Sequence, residues 1–191
     1  FRGTLKNPKI LAIHSTRKDH GDITKIDTIN NFQNDFIKRK KFADIILGNS
    51  TMKTEQDGYN LLIGQILTIL KTQVKNGSFI LKINNIFTKI TVKIINIISQ
   101  FYEKTYIYKP HFTMTSSSHK YLICKNFTGI QNDKLNKSLE VILKELESNK
   151  YVVDIFSNME LPEKYLNTIK YINITLMNNE QIIINKMVKD R

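Results

Sequence analysis

Short apolar runs of strand length alternate with segments in which apolar residues recur at helical spacing. Buried-strand candidates occupy residues 9–14, 42–47 and 78–83. Apolar residues three or four positions apart predict helices near residues 61–70, 86–101, 135–146 and 165–169. Strands that alternate with helices in this way predict a mostly parallel sheet with helices on both faces.

Two further strands are predicted after the second of these helical segments, residues 86–101. They cover residues 104–109 and 119–124, and Pro110 ends the first of them. The polar segment between them predicts a loop, so the two strands are expected to form an antiparallel hairpin. Tyr106 and Tyr108 share one face of the first strand, and the pattern favours packing over base stacking for both.

Polar residues inside these segments give more detailed expectations. Asn76-Gly77 is a turn dipeptide and predicts a turn before the strand 78–83. That strand carries Lys82 near its end, and a lysine in a buried strand needs a partner or a function. On the helix that follows, the spacing places four polar side chains toward solvent: Lys89, Lys93, Asn96 and Gln100.

The C-terminal third has a different character. Pro162 is suited to be the first residue of a helix. Residues 171–188 fit either a strand or a helix, and we favour a helix. We therefore expect one domain with a single core, divided into a sheet-containing part, residues 1–127, and a helical appendage packed on it, residues 128–191.

Polar residues collect where the predicted parallel strands end. In open α/β sheets, ligands bind at the carboxyl ends of the strands. His14, Asp22, Asn49 and Lys82 all fall at or near such ends.

Over residues 9–127 the chain resembles the FtsJ-type family of RNA ribose 2′-O-methyltransferases, including its viral cap-modifying branch. The resemblance rests on the order and spacing of four segments: Asp44-Ile45-Ile46-Leu47-Gly48-Asn49, Gly64-Gln65, residues 76–82, and the Lys109-Pro110 segment that continues through His119 to Cys124. It implies a Rossmann-like methyltransferase sheet that is mostly parallel and ends in an antiparallel hairpin.

The resemblance also implies a chemistry, in which a Lys-Asp-Lys-Glu set activates a ribose 2′-hydroxyl toward S-adenosylmethionine. Lys82 matches the second lysine, whereas Asn49 stands at the aspartate position and His119 at the glutamate position. Asparagine keeps a hydrogen-bonding shape without a charge, and histidine can carry a positive one. The catalytic set is therefore expected to be degenerate.

The resemblance is weaker at the positions that bind the cofactor in this family. Asp22 matches the family's adenine-side aspartate, but His14 stands where the family commonly has an acidic residue, and no Gly-x-Gly pattern precedes Lys9. S-adenosylmethionine is thus expected only if the protein is active. The RNA groove is implied at Lys109 and at the loop of Ser116, Ser117 and Ser118.

Composition limits the partners. A formal net charge of +12 favours an anionic partner, RNA first, although the many Ile, Asn and Lys residues equally fit an A/T-rich genome. No apolar run reaches the roughly 18 residues of a membrane span, so no membrane partner is expected. The histidines show no metal-ligand spacing, which argues against a metal site. The single Cys124 is expected to be buried and favours a reducing compartment: the cytoplasm, or a virion or viral factory.

The chain begins at Phe1 without a methionine, so we expect further sequence or another chain to supply the central first strand. Two functions remain open. The first is a degenerate methyltransferase-fold module that binds RNA or supports an active capping or polymerase subunit. The alternative is an active S-adenosylmethionine-dependent RNA cap 2′-O-methyltransferase whose N-terminal cofactor loop lies outside this chain.

Overall fold

The computed structural model describes residues 20–49, 54–110, 119–130, 132–148 and 152–189. These residues form five helices and four strands, in the order α1 (Ile26–Arg39), β1 (Ala43–Gly48), α2 (Tyr59–Thr72), β2 (Gln73–Ile83), α3 (Lys89–Ser99), β3 (Tyr102–Tyr108), β4 (Lys120–Phe127), α4 (Asp133–Ser148) and α5 (Glu163–Lys189). The predicted strand at residues 9–14 lies outside the described residues.

The four strands form one sheet in the order β1-β2-β4-β3. β1 runs parallel to β2, while β4 runs antiparallel to both β2 and β3. β3 and β4 are the predicted hairpin strands. The predicted α/β fold class, a Rossmann-like sheet with a final antiparallel hairpin and C-terminal helices, is confirmed.

The predicted turn at Asn76-Gly77 is wrong, because β2 runs through both residues. Asn76 has a φ of 65°, and the pairing with β1 shifts from Ala43–Gln73 to Ile45–Ser78 at this point. Asparagine tolerates the left-handed backbone conformation better than most residues. Asn76 thus has the backbone geometry that Asn-Gly adopts in turns, but here it produces an irregularity inside a strand.

The core lies against one face of the sheet. Phe79, Leu81, Leu122 and Cys124 are fully buried there. α2 and α3 supply most of the remaining buried apolar residues, and α1 and α4 pack on α2. The prediction that Cys124 is buried is confirmed, and burial raises the pKa of its thiol to about 12.

No described helix covers the opposite face of the sheet. The prediction of helices on both faces is therefore not met within the described residues. On β1, Ile45 is 68% exposed and Leu47 is 73% exposed, so the prediction of a buried strand is wrong for alternate residues. Tyr106 and Tyr108 on β3 are exposed as well, and the expected packing of their rings is wrong. One-sided burial follows from the period of two along a strand.

Helix α3 contains the largest departure from the predicted pattern. Lys89 and Gln100 face solvent as expected, but Lys93 is fully buried and Asn96 is buried. The Lys93 ammonium lies 2.8 Å from a carboxylate oxygen of Asp154, and it donates to the carbonyl oxygens of Ile155 (3.0 Å) and Phe156 (2.8 Å). The segment before α5 thus covers this face of α3 and satisfies the buried charge.

The C-terminal helices pack on the same core. Leu139 and Leu143 of α4 and Ile169 of α5 are buried in it. The Tyr165 hydroxyl donates to the Val92 carbonyl at 2.8 Å, which ties α5 to α3. The prediction of a helix over residues 171–188 is confirmed, and Pro162 immediately precedes the first helical residue, Glu163. The division at residues 127 and 128 stays a prediction.

The sequence analysis missed α1. Its buried residues Ile29, Phe32 and Phe36 recur at three- and four-residue spacing, which is the signal that could have found it. Within the ranges given above, no helix is long and apolar enough to cross a membrane.

Replacing the buried ammonium should test how much the Lys93 contacts stabilise the fold. We expect Lys93→Met to lower the free energy of unfolding by about 2–3 kcal/mol, because Asp154 and two carbonyls lose their donor. The measurement is urea denaturation followed by circular dichroism.

Lys89→Met is the matched control, since Lys89 contacts the same carboxylate at 2.7 Å but its side chain is 60% exposed. It should change stability by less than about 1 kcal/mol. Hydrogen bonds from Lys89 and Lys93 lower the pKa of Asp154. Near the ordinary aspartate pKa of about 4, the unfolded chain therefore binds more protons than the folded chain. The contribution of Lys93 to stability should shrink as pH falls below that value. Equal losses in the two variants would contradict a buried role for Lys93.

Candidate functional site

The register of the sheet brings three predicted site residues to one edge. Gly48 of β1 pairs with Leu81 of β2, so Asn49 follows β1 beside the rung of Lys82. Ile83 pairs with Lys120, so His119 precedes β4 at the same edge. This edge is formed by the carboxyl ends of β1 and β2, where ligands bind in open α/β sheets.

The electrostatics of this edge are dominated by cations. Burial lowers the pKa of the His119 imidazole, and the positive charges of Lys82, Lys120 and Lys109 lower it further. His119 is therefore neutral at neutral pH. Lys82 is half-buried, and its ammonium has no hydrogen-bond or ion-pair partner among the described residues.

Lys120 is the most buried cation of this group, with 3% of its surface exposed. Its ammonium donates to the side-chain oxygen of Asn85 at 3.0 Å. Burial lowers the pKa of Lys120, an effect that the carboxylates of Glu180 and Glu55 oppose and Lys109 reinforces. The sequence did not identify Lys120 as a site residue, because a single lysine in a predicted strand is usually a solvent-exposed polar position.

Two carboxylates approach the cluster, and both are engaged in structural contacts. Glu180 of α5 forms an ion pair with Lys109. Glu55 accepts hydrogen bonds from the Phe87 amide (3.1 Å) and from the amide (2.9 Å) and hydroxyl (2.6 Å) of Thr88 at the start of α3. Neither residue had a signal in the sequence, since one lies in a loop and the other in the C-terminal helix.

Two glycines allow close packing around α2, one at the end of β1 and one against the loop before α1. A Cβ atom on Gly48 would lie 2.4 Å from Leu81 Cδ1 and 3.7 Å from Gln65 Nε2. A Cβ atom on Gly64 would lie 2.0 Å from the Ile23 carbonyl oxygen, so no side chain fits there. Gln65, the glutamine of the resembled pattern, is thus buried at the end of β1.

A small cavity lies beside Lys82, between the start of α2 and the end of β2. Its volume is about 40 Å³, and its lining includes Glu55, Gln65, Lys82, Asn84 and Asn85. Pockets for nucleoside-sized ligands measure roughly 300 Å³ or more. This cavity can hold a few water molecules and does not fit S-adenosylmethionine.

Asp22 is the only predicted cofactor residue within the described ranges, and its carboxylate is used locally. Asp22 Oδ1 accepts the Thr24 amide at 3.0 Å and the Thr24 hydroxyl at 2.7 Å, just before α1. The loop it belongs to packs on Gly64 through Ile23. His14 and the serines 116–118 lie outside the described residues.

Lys109 is placed at the end of β3, and only 10% of its side chain is exposed. Its contact with Glu180 therefore competes with the RNA contact expected from the resemblance. In the described part of the chain, no group of three or more His, Cys, Asp or Glu side chains is arranged to hold a metal ion.

Residues 4–127 match the FtsJ-like methyltransferase family. Because the match covers more than half of the chain, the protein belongs to this family. The family expected from the sequence is confirmed, and the fold described above agrees with it.

Among individual proteins, the chain is 25% identical over 162 residues to an uncharacterised protein of Acanthamoeba polyphaga mimivirus. It is 26% identical over 196 residues to the cap-specific mRNA (nucleoside-2′-O-)-methyltransferase 1 of Dictyostelium discoideum. It is 34% identical over 103 residues to a probable methyltransferase of African swine fever virus. The protein is thus related to cap 2′-O-methyltransferases and to viral methyltransferases.

These alignments cover 84%, 95% and 54% of this chain but only 44%, 25% and 24% of the respective relatives. The chain therefore spans less than half the length of each of these proteins.

The pKa of His119 reports on the cation cluster directly. We expect Lys82→Gln to raise the pKa of His119 toward its ordinary value, because one of the positive charges that oppose its protonation is removed. The measurement is an NMR titration of the imidazole, assigned with His119→Asn. Lys134→Gln, on the exposed surface of α4, is the control and should leave the titration unchanged. If the titration is also unchanged in Lys82→Gln, Lys82 does not act on the pKa of His119.

Proposed function

We propose that this protein is a catalytically degenerate RNA 2′-O-methyltransferase that binds RNA or supports an active capping or polymerase subunit. The observation that carries the proposal is the charge around Lys82. The positive charges of Lys82, Lys109 and Lys120 all lower the pKa of His119. The carboxylates of Glu55 and Glu180 are engaged in structural contacts.

The proposal follows from what a lysine needs in order to handle a hydroxyl proton. Neighbouring carboxylates tune such a lysine and hold its geometry. Asn49 supplies no charge, and His119 is neutral at neutral pH because its pKa is lowered. Lys82 is then suited to act as a cation toward a phosphate group rather than as a catalytic residue.

The cofactor half supports the same conclusion. S-adenosylmethionine would supply the methyl group in an active relative, with Asp22 and the His14 position as the residues expected to hold it. Here the carboxylate of Asp22 bonds to Thr24, and the cavity beside Lys82 measures about 40 Å³. Both observations support a protein that does not hold the cofactor.

RNA is the proposed ligand. The net charge of +12 favours a polyanion, and one relative is named as a cap-specific mRNA methyltransferase. Lys109 and the serines 116–118 remain proposed RNA contacts. The cytoplasm or a viral factory remains the proposed location, in line with the viral relatives.

The alternative is an active S-adenosylmethionine-dependent cap 2′-O-methyltransferase whose cofactor loop lies outside this chain. Lys82 favours this alternative, since it stands at the expected position beside Asn49. The two candidates differ in cofactor binding, which can be measured without an RNA substrate.

We expect isothermal titration calorimetry to detect no binding of S-adenosylmethionine to this chain at low micromolar affinity. The reasons are the cavity of about 40 Å³ beside Lys82 and the absence of a Gly-x-Gly pattern before Lys9. A low-micromolar dissociation constant would favour the active enzyme instead.

The variant Asn49→Asp/His119→Glu separates the two possible defects. It restores the two carboxylates but leaves the cofactor positions unchanged, so it should also fail to bind S-adenosylmethionine or to transfer a methyl group. If this variant methylates a capped RNA and Lys82→Ala abolishes that activity, only the carboxylates were missing.

RNA binding should be electrostatic at the Lys82 edge. For a capped 12-nucleotide RNA, we expect log Kd to rise with log salt by roughly 0.7 for each phosphate neutralised. Lys82→Gln should lower the slope by about that amount, whereas Lys134→Gln on α4 should not. Fluorescence anisotropy at several salt concentrations gives both slopes, and binding that is independent of salt would contradict the RNA proposal.

A further inference from the structure

The open face of the β3–β4 hairpin carries an unusual combination of side chains. Three cross-strand pairs occupy it: Lys104 with Lys125, Tyr106 with Ile123, and Tyr108 with Tyr121. We call these six residues the tyrosine–lysine face. Tyr106 is 49% exposed and Tyr108 is 45% exposed, while Thr105, Ile107, Leu122 and Cys124 point to the core from the alternate positions.

The two lysines of this face oppose each other, and neither forms an ion pair with a carboxylate of the described residues. Like charges at directly opposite positions of an antiparallel pair destabilise a sheet. The neighbouring acidic residue of β3, Glu103, is exposed, and its carboxylate accepts a hydrogen bond from Asn126 at 2.8 Å and forms no ion pair with either lysine. An anion placed between Lys104 and Lys125 would therefore relieve a repulsion that the folded chain carries.

The tyrosine rings are available for stacking. No aromatic ring among the described residues stacks on Tyr106, Tyr108 or Tyr121. Nucleic-acid bases stack on exposed aromatic side chains with little preference for sequence. A four-stranded sheet with aromatic side chains on its open face is a known arrangement for reading unpaired bases.

The face is continuous with the candidate site. Lys82 pairs with Tyr121 across β2 and β4, so the tyrosine–lysine face meets the lysine edge at this rung. A strand of RNA that lies along the hairpin would reach Lys82 without leaving the surface of the sheet.

We propose that the tyrosine–lysine face binds single-stranded RNA, with bases stacked on Tyr106 and Tyr108 and a phosphate between Lys104 and Lys125. A second copy of this chain is a poor occupant, because two such faces would bring four lysines together. Duplex RNA is also a poor occupant, because its bases are paired and stacked within the helix. The inference rests on the proposed RNA association for its ligand class, and it adds a surface apart from the Lys82 edge.

The test uses the full chain and a fluorescein-labelled 12-nucleotide single-stranded RNA of mixed sequence, with the matching duplex for comparison. Tyr106→Leu/Tyr108→Leu should weaken single-strand binding on the order of tenfold without changing its salt slope. Tyr106→Phe/Tyr108→Phe keeps the rings and should retain the affinity. Lys104→Gln/Lys125→Gln should lower the salt slope by about 0.7, as expected for the loss of the one phosphate held between the two lysines.

Matched controls are Tyr171→Leu, since Tyr171 is 71% exposed on α5, and Lys134→Gln/Lys144→Gln on the exposed surface of α4. Thermal melting identifies any variant that fails to fold. If the Leu variant does not fold, the Phe variant still tests the proposal, because loss of RNA binding in a folded Phe variant would overturn the stacking.

Three results would overturn the proposal. The first is RNA binding that is unchanged in the Leu and Gln variants while Lys82→Gln weakens it, which leaves the proposed function intact. The second is no RNA binding by the wild-type chain, which removes both. The third is a wild-type dimer, seen by light scattering, that dissociates in Lys104→Glu/Lys125→Glu, which would identify the face as an interface between copies.

Discussion

The pairing of β2 with β4 is the constraint on which both the core and the candidate site depend. Side chains along a strand alternate between two faces, so a slip of one residue in this pairing would exchange the faces. In the observed register, Leu81 and Ile83 are buried while Lys82 between them points to the open face. The same rungs place Tyr121 beside Lys82 and bring His119 to the edge where β2 ends.

Much of this arrangement is predictable, because it follows from local periodicity. The strand at residues 78–83, the helix that follows it and the two hairpin strands on either side of Pro110 each carry a pattern that fits one element only. The order of these elements then fixes the sheet edge that carries Asn49, Lys82 and His119. Burial on a single face could not be predicted, because the apolar run of β1 fits a fully buried strand equally well.

The other departures come from contacts between distant segments. Lys93 has the spacing of an exposed helical residue, and only the return of residues 154–156 to α3 converts it into a buried ammonium with three acceptors. Likewise Glu180 reaches Lys109 because α5 packs back toward the sheet. Periodicity describes the face of a helix, and it contains no information about which later segment covers that face.

These long-range contacts also determine what the charges can do. The carboxylates near the lysine edge stabilise structure: Glu55 accepts from the amides of Phe87 and Thr88, just before α3, and Glu180 pairs with Lys109. Both carboxylates act on the pKa of Lys120, but neither forms an ion pair with Lys82, so proximity alone does not rebuild a catalytic set. The cations that remain, together with Lys104 and Lys125 on the hairpin, form a surface on which phosphate groups rather than acidic side chains complete the charge balance.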